Sequence, residues 1–312
     1  MATWLITGGA GFIGSHLAER LVARGDNVRV IDDLSSGKPE NLPAAAELTI
    51  GDAADLDLVE RSMAGADGCF HLAAIASVQR STEDWLATHR ANLTATITVF
   101  EAARRARPDR PPPVVYASSA AVYGDNPALP LAETATPSPL TAYGADKLGS
   151  EQHARVGWLV HRVPSTGFRF FNVYGPRQDP KSPYSGVIAI FAGRVAAGQP
   201  ISINGDGLQT RDFVYVGDVV DHLIAAMDRP APDARVFNVC TGRATTIRRL
   251  AEVVAGIAGA SPTITHGPAR AGDIRESLGN PAAATAALGV VAATPIEEGL
   301  TATLRAVAGS AG

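Results

Sequence analysis

Apolar residues along this chain come in short blocks separated by longer amphipathic runs. Thr3-Trp4-Leu5-Ile6-Thr7 reads as a buried strand, and His16 to Arg24 follows with helical periodicity. Val28-Arg29-Val30-Ile31 predicts a second strand ending at Asp32, and Leu48-Thr49-Ile50 a third, short one before a helix over Ala54 to Met63. Gly68 to Ala74 predicts another strand, and Thr82 to Arg107 a long helix that the prolines between 108 and 113 stop. Val114 to Ser119 is strand-like. A Pro/Thr/Ser-rich loop, Asn126 to Thr141, leads to a helix from Ala142 to about Val160 and a strand over Gly167 to Val173. Strands and helices in alternation imply an α/β architecture with a Rossmann-type, doubly wound parallel sheet. After that strand the pattern becomes irregular. We therefore expect one domain over residues 1–172 and a smaller, mixed α/β domain over 173–312, with about 212–230 packing back onto the first.

The first strand runs into Gly8-Gly9-Ala10-Gly11-Phe12-Ile13-Gly14, a G-x-x-G-x-x-G spacing close to the dinucleotide fingerprint but not identical with it. Glycines there let the chain turn sharply and let backbone approach a pyrophosphate at the positive end of a helix dipole. Asp32 lies eighteen residues past Gly14, where a carboxylate accepts from the adenine ribose and repels a 2′-phosphate. The pattern thus favours NAD over NADP. Asp52, after the third strand, either meets the adenine or caps the next helix. The small residues ending the strand at Leu72-Ala73-Ala74 leave room for a flat cofactor, and His71 reads as a packed strand histidine.

At 312 residues the chain can bury roughly 75% of its unfolded surface. A net charge of −4 gives no reason to expect nucleic acid or an anionic membrane as partner, so any anionic ligand must be caught by local groups. Cys69 and Cys240 each sit in an apolar run and read as buried free thiols of a reducing compartment. With no signal-like N-terminus and no membrane-length apolar run, a cytoplasmic location is the expectation. No CxxC or His/Cys cluster suggests a metal.

Tyr143 and Lys147 stand four apart, on one face of a predicted helix. A phenol with a pKa of about 10 is a poor base at neutral pH, and a nearby cation can lower it by roughly 1–3 units. Ser119, at the carboxyl end of its strand, supplies a short hydroxyl able to bridge the tyrosine and a substrate alcohol.

These features together resemble the extended short-chain dehydrogenase/reductase superfamily, and within it the UDP-sugar 4-epimerases. The resemblance is carried by the glycine turn, Asp32 to Gly37, Ser118 to Gly124, Tyr143 to Lys147, Arg169 to Pro176, Gln209 to Val216 and Arg270 to Ile274. It implies catalysis by Ser119, Tyr143 and Lys147, with tightly bound NAD that is not consumed. It implies cofactor contacts from Gly8, Gly11, Phe12, Ile13, Gly14, Asp32, Asp33, Ser36, Gly37, Asp52, Ala53, Leu72, Ala73 and Ala74, besides Tyr143 and Lys147. Substrate contacts are expected from Ser119, Tyr143, Asn172, Val187, Asn204, Arg211, Arg270, Asp273 and Ser277. Arg211 resembles the family's diphosphate clamp; its alternative reading is a surface arginine paired with Asp212. Asn204 stands where several relatives have an aromatic residue against the uracil.

Similar dehydratases carry an Asp-Glu pair just after the serine, where this chain has Ala120 and Ala121. In that family the position held here by Ser277 gates the space beside the sugar C2 substituent, and the resemblance implies that a small residue there admits an N-acetyl group. The resemblance therefore implies C4 epimerisation of a UDP-hexose through a 4-keto intermediate, with UDP-N-acetylglucosamine and UDP-N-acetylgalactosamine accepted beside UDP-glucose and UDP-galactose. A pocket restricted to non-acetylated sugars, a UDP-glucuronate 4-epimerase using Arg177, and a non-catalytic NAD-sensing regulator are the alternatives. A homodimer is expected through the helices over 82–107 and 142–160, with Leu93, Ile97, Leu148 and Trp158 as apolar candidates.

Overall fold

Seven parallel strands make the central sheet of the computed structural model, which describes residues 1–178, 186–269 and 274–309. In chain order they are β1 (Thr3–Thr7), β2 (Asn27–Asp32), β3 (Glu47–Ile50), β4 (Gly68–His71), β5 (Val114–Ser119) and β6 (Ser165–Phe170), followed much later by the strand Ala234–Val239. The helices of this part are α1 (Phe12–Ala23), α2 (Leu56–Met63), α3 (Val78–Glu83), α4 (Trp85–His89), α5 (Ala95–Ala106) and α6 (Ala142–His161). The second part contributes β7 (Asn172–Tyr174), α7 (Val187–Ala196), β8 (Ile201–Asn204), β9 (Thr210–Tyr215) and α8 (Val216–Asp228). It continues with β10 (Ala234–Val239), β11 (Ala244–Thr246), α9 (Ile247–Ile257), β12 (Ile264–Gly267), α10 (Ala282–Leu288) and α11 (Ile296–Gly309).

The spatial order β3-β2-β1-β4-β5-β6-β10 reverses direction between β1 and β4. In an open α/β sheet this crevice, beyond the carboxyl ends of the strands, is where ligands bind. Both faces of the sheet are covered, so successive strand residues serve two cores. Ile6 and Phe70 join a cluster with Leu17 and Leu223, and Leu5 and Cys69 join another with Val59, Phe100 and Tyr116. A third cluster, with Phe191, Ile203, Phe213, Leu250 and Leu300, lies under the smaller β11-β9-β7 and β12-β8 sheets. The segment after β9 returns to the large sheet: α8 packs on α1, where Arg20 meets Asp221 at 3.1 Å, and β10 pairs with β6.

Several predicted elements take different bounds. Asp55, not Asp52, caps α2: its side chain accepts from the Leu58 amide at 3.2 Å, so the helix starts two residues later than expected. β4 stops at His71, leaving Leu72 to Ala74 outside the ladder. The single helix expected over 82–107 is broken twice. Asp84 leaves helical geometry and caps α4, and a π turn over Arg90–Thr94 joins α4 to α5. The strand expected over 167–173 divides at Phe171, where the chain leaves the large sheet and Asn172 pairs with Phe213.

Cys69 and Cys240 are free and buried, and burial pushes both thiols up. Among the described residues no helix is long and apolar enough to cross a membrane, and no cluster could hold a metal ion. Of the four apolar dimer candidates, Leu93 lies over Gly149 of its own α6 and Leu148 packs on the first core cluster. The Arg162 guanidinium covers Trp158, which leaves Ile97 as the exposed one.

Candidate active site

The turn after β1 is built so that side chains cannot enter it. Gly8 has φ +71°, and a Cβ there would lie 2.6 Å from the Ala73 nitrogen; a Cβ on Gly14 would collide with the Gly8 carbonyl oxygen. α1 opens at Gly11 with no side-chain cap and no acidic residue in its first turn. Its first amides, around Phe12 and Ile13, thus face the crevice at the positive end of the helix, a cradle for a pyrophosphate. The observed backbone fits a dinucleotide on that ground.

Asp32 is buried directly behind this turn. Its carboxylate accepts from the Ala10 amide and from the Leu34 amide, both at 2.9 Å. Burial raises its pKa, and those amide bonds pull it back. The residue expected at a ribose therefore also clamps the glycine turn to the 33–37 loop. Gly37 closes that loop against the Asp32 carboxylate, while Asp33 and Ser36 are exposed. Asp33 accepts from the Ser35 amide and hydroxyl at 2.9 and 2.6 Å. Asp52 makes a turn with the Ala54 amide at 2.8 Å and an ion pair with Arg90 at 3.1 Å, beside the buried Ala53. Leu72 and Ala73 donate to the Thr7 carbonyl and hydroxyl at 3.0 and 3.4 Å, which carries Ala73 and Ala74 across the face of Gly8. His71 is a packed histidine, as expected: its ring is bonded by Thr7 and Thr96, and burial lowers its pKa to about 3.

Across the crevice, Thr141 caps α6 by accepting from the Gly144 amide at 3.1 Å, which sets Tyr143 at the helix mouth. Ser119 ends β5 and accepts from the Ala121 amide at 3.1 Å. It also pulls the Tyr143 pKa down, in the sense that favours the phenolate. One turn on, Lys147 donates to the Ala117 carbonyl at 2.9 Å, with its ammonium 5.9 Å from the Tyr143 ring centre. The three residues predicted to act together are brought together. The expected pKa is not reproduced by the protein's own groups. Burial raises Tyr143 above its ordinary value, outweighing the pull of Ser119, and burial lowers Lys147 to about 8.

The expected substrate residues gather on the smaller sheets. Asn172 opens β7 and is exposed; Val187 opens α7; Asn204 ends β8, its carbonyl accepting from Gln209 at 2.9 Å. Arg211 lies in β9, and its guanidinium donates to the Thr210 carbonyl at 2.7 Å. The Asp212 carboxylate instead accepts from the Thr241 amide at 2.8 Å, the Thr241 hydroxyl at 2.7 Å and the Gly242 amide at 2.9 Å. Ser277 is half-buried and donates its amide to Thr210 at 3.2 Å, one residue from Arg211. Arg270 and Asp273 lie outside the described residues. Arg177 is bound to α1, 2.6 Å from Glu19 and 3.4 Å from Ser15. The sequence offered Asp212 only as an alternative partner for Arg211, and gave no role to a buried Glu151–Arg169 pair at 2.7 Å. The signal for Glu151 was present: it extends the 143–147 spacing by one more turn.

Residues 4–240 match the model of the NAD dependent epimerase/dehydratase family. The chain is 38% identical over 307 residues to the UDP-glucose 4-epimerase of Mycolicibacterium smegmatis, covering 96% of each. Among solved structures, it is similar to a UDP-glucose 4-epimerase from Thermotoga maritima with UDP-glucose, at a TM-score of 0.95 and 35% identity, covering 99% of this chain and 100% of the other. It is also similar to a UDP-N-acetylglucosamine 4-epimerase from Methanobrevibacter ruminantium in complex with UDP-N-acetylmuramic acid, at a TM-score of 0.92 and 33% identity, covering 99% of both. A glycine-turn crevice facing a Ser-Tyr-Lys set, in a chain matched over nearly its whole length, places this protein in the NAD-dependent epimerase/dehydratase family.

Proposed function

We propose that the chain epimerises UDP-hexoses at C4 through a transient 4-keto sugar, taking UDP-N-acetylglucosamine and UDP-N-acetylgalactosamine as well as UDP-glucose and UDP-galactose. The observation that carries this reading is the placement of the Tyr143 ring 5.9 Å from the Lys147 ammonium, at the end of the strand that bears Ser119 and whose Ala117 carbonyl holds that lysine. NAD, when bound, would supply the hydride acceptor and donor and a positive charge. Tyr143 takes the proton from O4 of the sugar and later returns it. Ser119 holds O4 in line with the phenol, and Lys147 keeps a cation at the ring. Ala120 and Ala121 follow Ser119 in a short 3-10 turn and offer no acid or base for eliminating water.

On the substrate side, Arg211 and Asn172 would hold the diphosphate, a role suited to the fork geometry of arginine. Ser277 leaves room beside C2. The uronate alternative is weakened, because Arg177 is engaged with Glu19 on α1. The same reading carries a homodimer, through outer faces of α5 and α6 that expose Ile97, Val156, Leu159 and Val160.

The test is to purify the protein, assay acid-released NAD, and incubate it separately with UDP-N-acetylglucosamine, UDP-glucose and UDP-glucuronate. C4 epimers of the first two without added cofactor are expected. Conversion of UDP-glucose alone overturns the C2 argument, and conversion of UDP-glucuronate alone overturns the substrate class. Tyr143→Phe is expected to keep its NAD and fold and to lose at least about a hundredfold in turnover. Substantial residual turnover removes Tyr143 as the base.

A further inference from the structure

Glu151 follows Tyr143 and Lys147 at the same four-residue spacing, so α6 presents phenol, ammonium and carboxylate along one stripe. Glu151 and Arg169 of β6 are both buried. One Glu151 oxygen accepts from Arg169 Nε at 2.8 Å and from the Ser118 hydroxyl at 2.6 Å; the other accepts from Arg169 Nη2 at 2.7 Å. A buried ion pair is a weak stabiliser relative to well-packed apolar residues, so its partners matter more than its strength. Arg169 Nη1 donates to the Tyr123 hydroxyl at 2.9 Å, and the guanidinium lies 4.7 Å from the centre of the Tyr123 ring. Tyr123 in turn donates to Asn238 of β10 at 2.7 Å.

Tyr123 is the last residue of the 3-10 turn that begins just after Ser119, and Ser119 caps that turn. The turn also touches α6 directly: a Cβ on Gly144 would be 2.7 Å from the Ala121 carbonyl oxygen. The turn is thus pinned at one end by Ser119 and at the other by the Tyr123 hydroxyl. Any slip of it moves Ser119 against Tyr143.

We propose that Tyr123 is a positioning residue for the reaction, its hydroxyl bound by the Glu151–Arg169 pair so that the turn bearing Ser119 stays in register with the helix bearing Tyr143 and Lys147. This rests on the reading of Ser119 and Tyr143 given above. The hydroxyl reaches the chemistry only through Arg169 and the turn, and packing of the ring is a separate matter.

Tyr123→Phe tests it on the NAD-loaded enzyme, because it removes the hydroxyl and keeps the ring. NAD content and the thermal midpoint report folding. Val99→Ala, a cavity in the α5 core away from this chain of bonds, gives a variant destabilised for another reason. For Tyr123→Phe, kcat is expected to fall about tenfold or more, with KM little changed, as a sub-ångström misplacement does. Because Ser119 favours the Tyr143 phenolate, the acid limb of the kcat profile is expected to move to higher pH, by about half a pH unit. Val99→Ala is expected to lower the midpoint and leave that limb in place. Wild-type kcat and limb in folded Tyr123→Phe, or an equal limb displacement in Val99→Ala, overturns the proposal. If Tyr123→Phe does not fold, Ser118→Ala cuts the same chain at the Glu151 end and is expected to move the limb likewise; an unmoved limb there overturns it. Turnover surviving in Tyr143→Phe overturns the catalytic reading itself, and is distinguishable because it needs no variant at 123.

Discussion

The two walls of the crevice are rigid for different reasons. On the β1–α1–β2 side, the main constraint is backbone against backbone, Gly14 against the Gly8 carbonyl and Gly8 against Ala73, with the Asp32 carboxylate behind it collecting the amides of Ala10 and Leu34. On the β9–β11 side, the constraint is one buried side chain. Asp212 gathers the Thr241 and Gly242 amides and the Thr241 hydroxyl, and the Gly279 amide at 3.4 Å, thereby holding β9 against the segment that bears Ser277. The first wall tolerates no added atom. The second tolerates no lost acceptor. A steric device leaves no adjustable part, whereas a hub of hydrogen bonds can weaken by degrees.

The largest expected effect is on the steric wall. Gly14→Ala puts a methyl group onto the Gly8 carbonyl and 2.7 Å from the Gly9 Cα, all backbone that cannot rotate away. A cost of about 3 kcal/mol and loss of co-purifying NAD are expected, read by thermal melting and acid release. Retained NAD would show that the turn can yield. Asp212→Asn should do less and do it elsewhere. It keeps the shape but aims an NH2 group at amide donors, a loss of about 2 kcal/mol. NAD content is expected to hold while KM for the UDP-sugar rises about tenfold. Equal loss of NAD in both variants would erase the distinction between the walls.

That contrast also explains what could be read in the sequence. The steric wall is local, with Gly8, Gly11, Gly14 and Asp32 at spacings that a strand–turn–helix–strand unit dictates. Tyr143 and Lys147 were legible for the same reason, being one helical turn apart. The Asp212 hub joins residues 29, 30 and 67 positions away, and no periodicity connects them. Tyr123 and Asn238 are likewise 115 apart. Asp52 was open between meeting the adenine and capping the next helix, because nothing in the sequence tells it from Asp55 three residues on, which takes the Leu58 amide. The break in the 82–107 helix was hidden because Asp84 in a helical pattern looks like any exposed polar position until its side chain turns to the Ala87 amide.

Acid sharpens the comparison further, since the first wall buries a histidine beside its carboxylate and the second buries a carboxylate alone. His71, under the glycine turn, is neutral in the fold. Thr96 donates to the Asn92 carbonyl at 2.7 Å, so its oxygen accepts from His71 Nε2, which leaves Nδ1 to accept from Thr7. A second ring proton has no acceptor there, and Lys147 adds repulsion to the cost of burial, holding the pKa near 3 against an ordinary 6.5. The unfolded chain therefore takes up a proton below about pH 6.5 that the native chain refuses, and stability falls as pH falls through that window. The loss amounts to about 2 kcal/mol between pH 8 and pH 5, at about 1.4 kcal/mol per pH unit once the unfolded histidine titrates. Burial lowers His16 and His222 as well, adding to the same slope, so the His71 share is the difference between wild type and His71→Gln. Burial raises the Asp212 carboxyl, so the native chain takes its proton more readily than the unfolded one, and acid does not weaken that wall in the same way. Urea unfolding at pH 8, 6.5 and 5 is expected to show a shallower slope in His71→Gln and an unchanged one in Asp212→Asn over this range. Parallel slopes for wild type and His71→Gln would mean that the ring finds an acceptor on protonation, and that the glycine-turn wall yields more than its packing indicates.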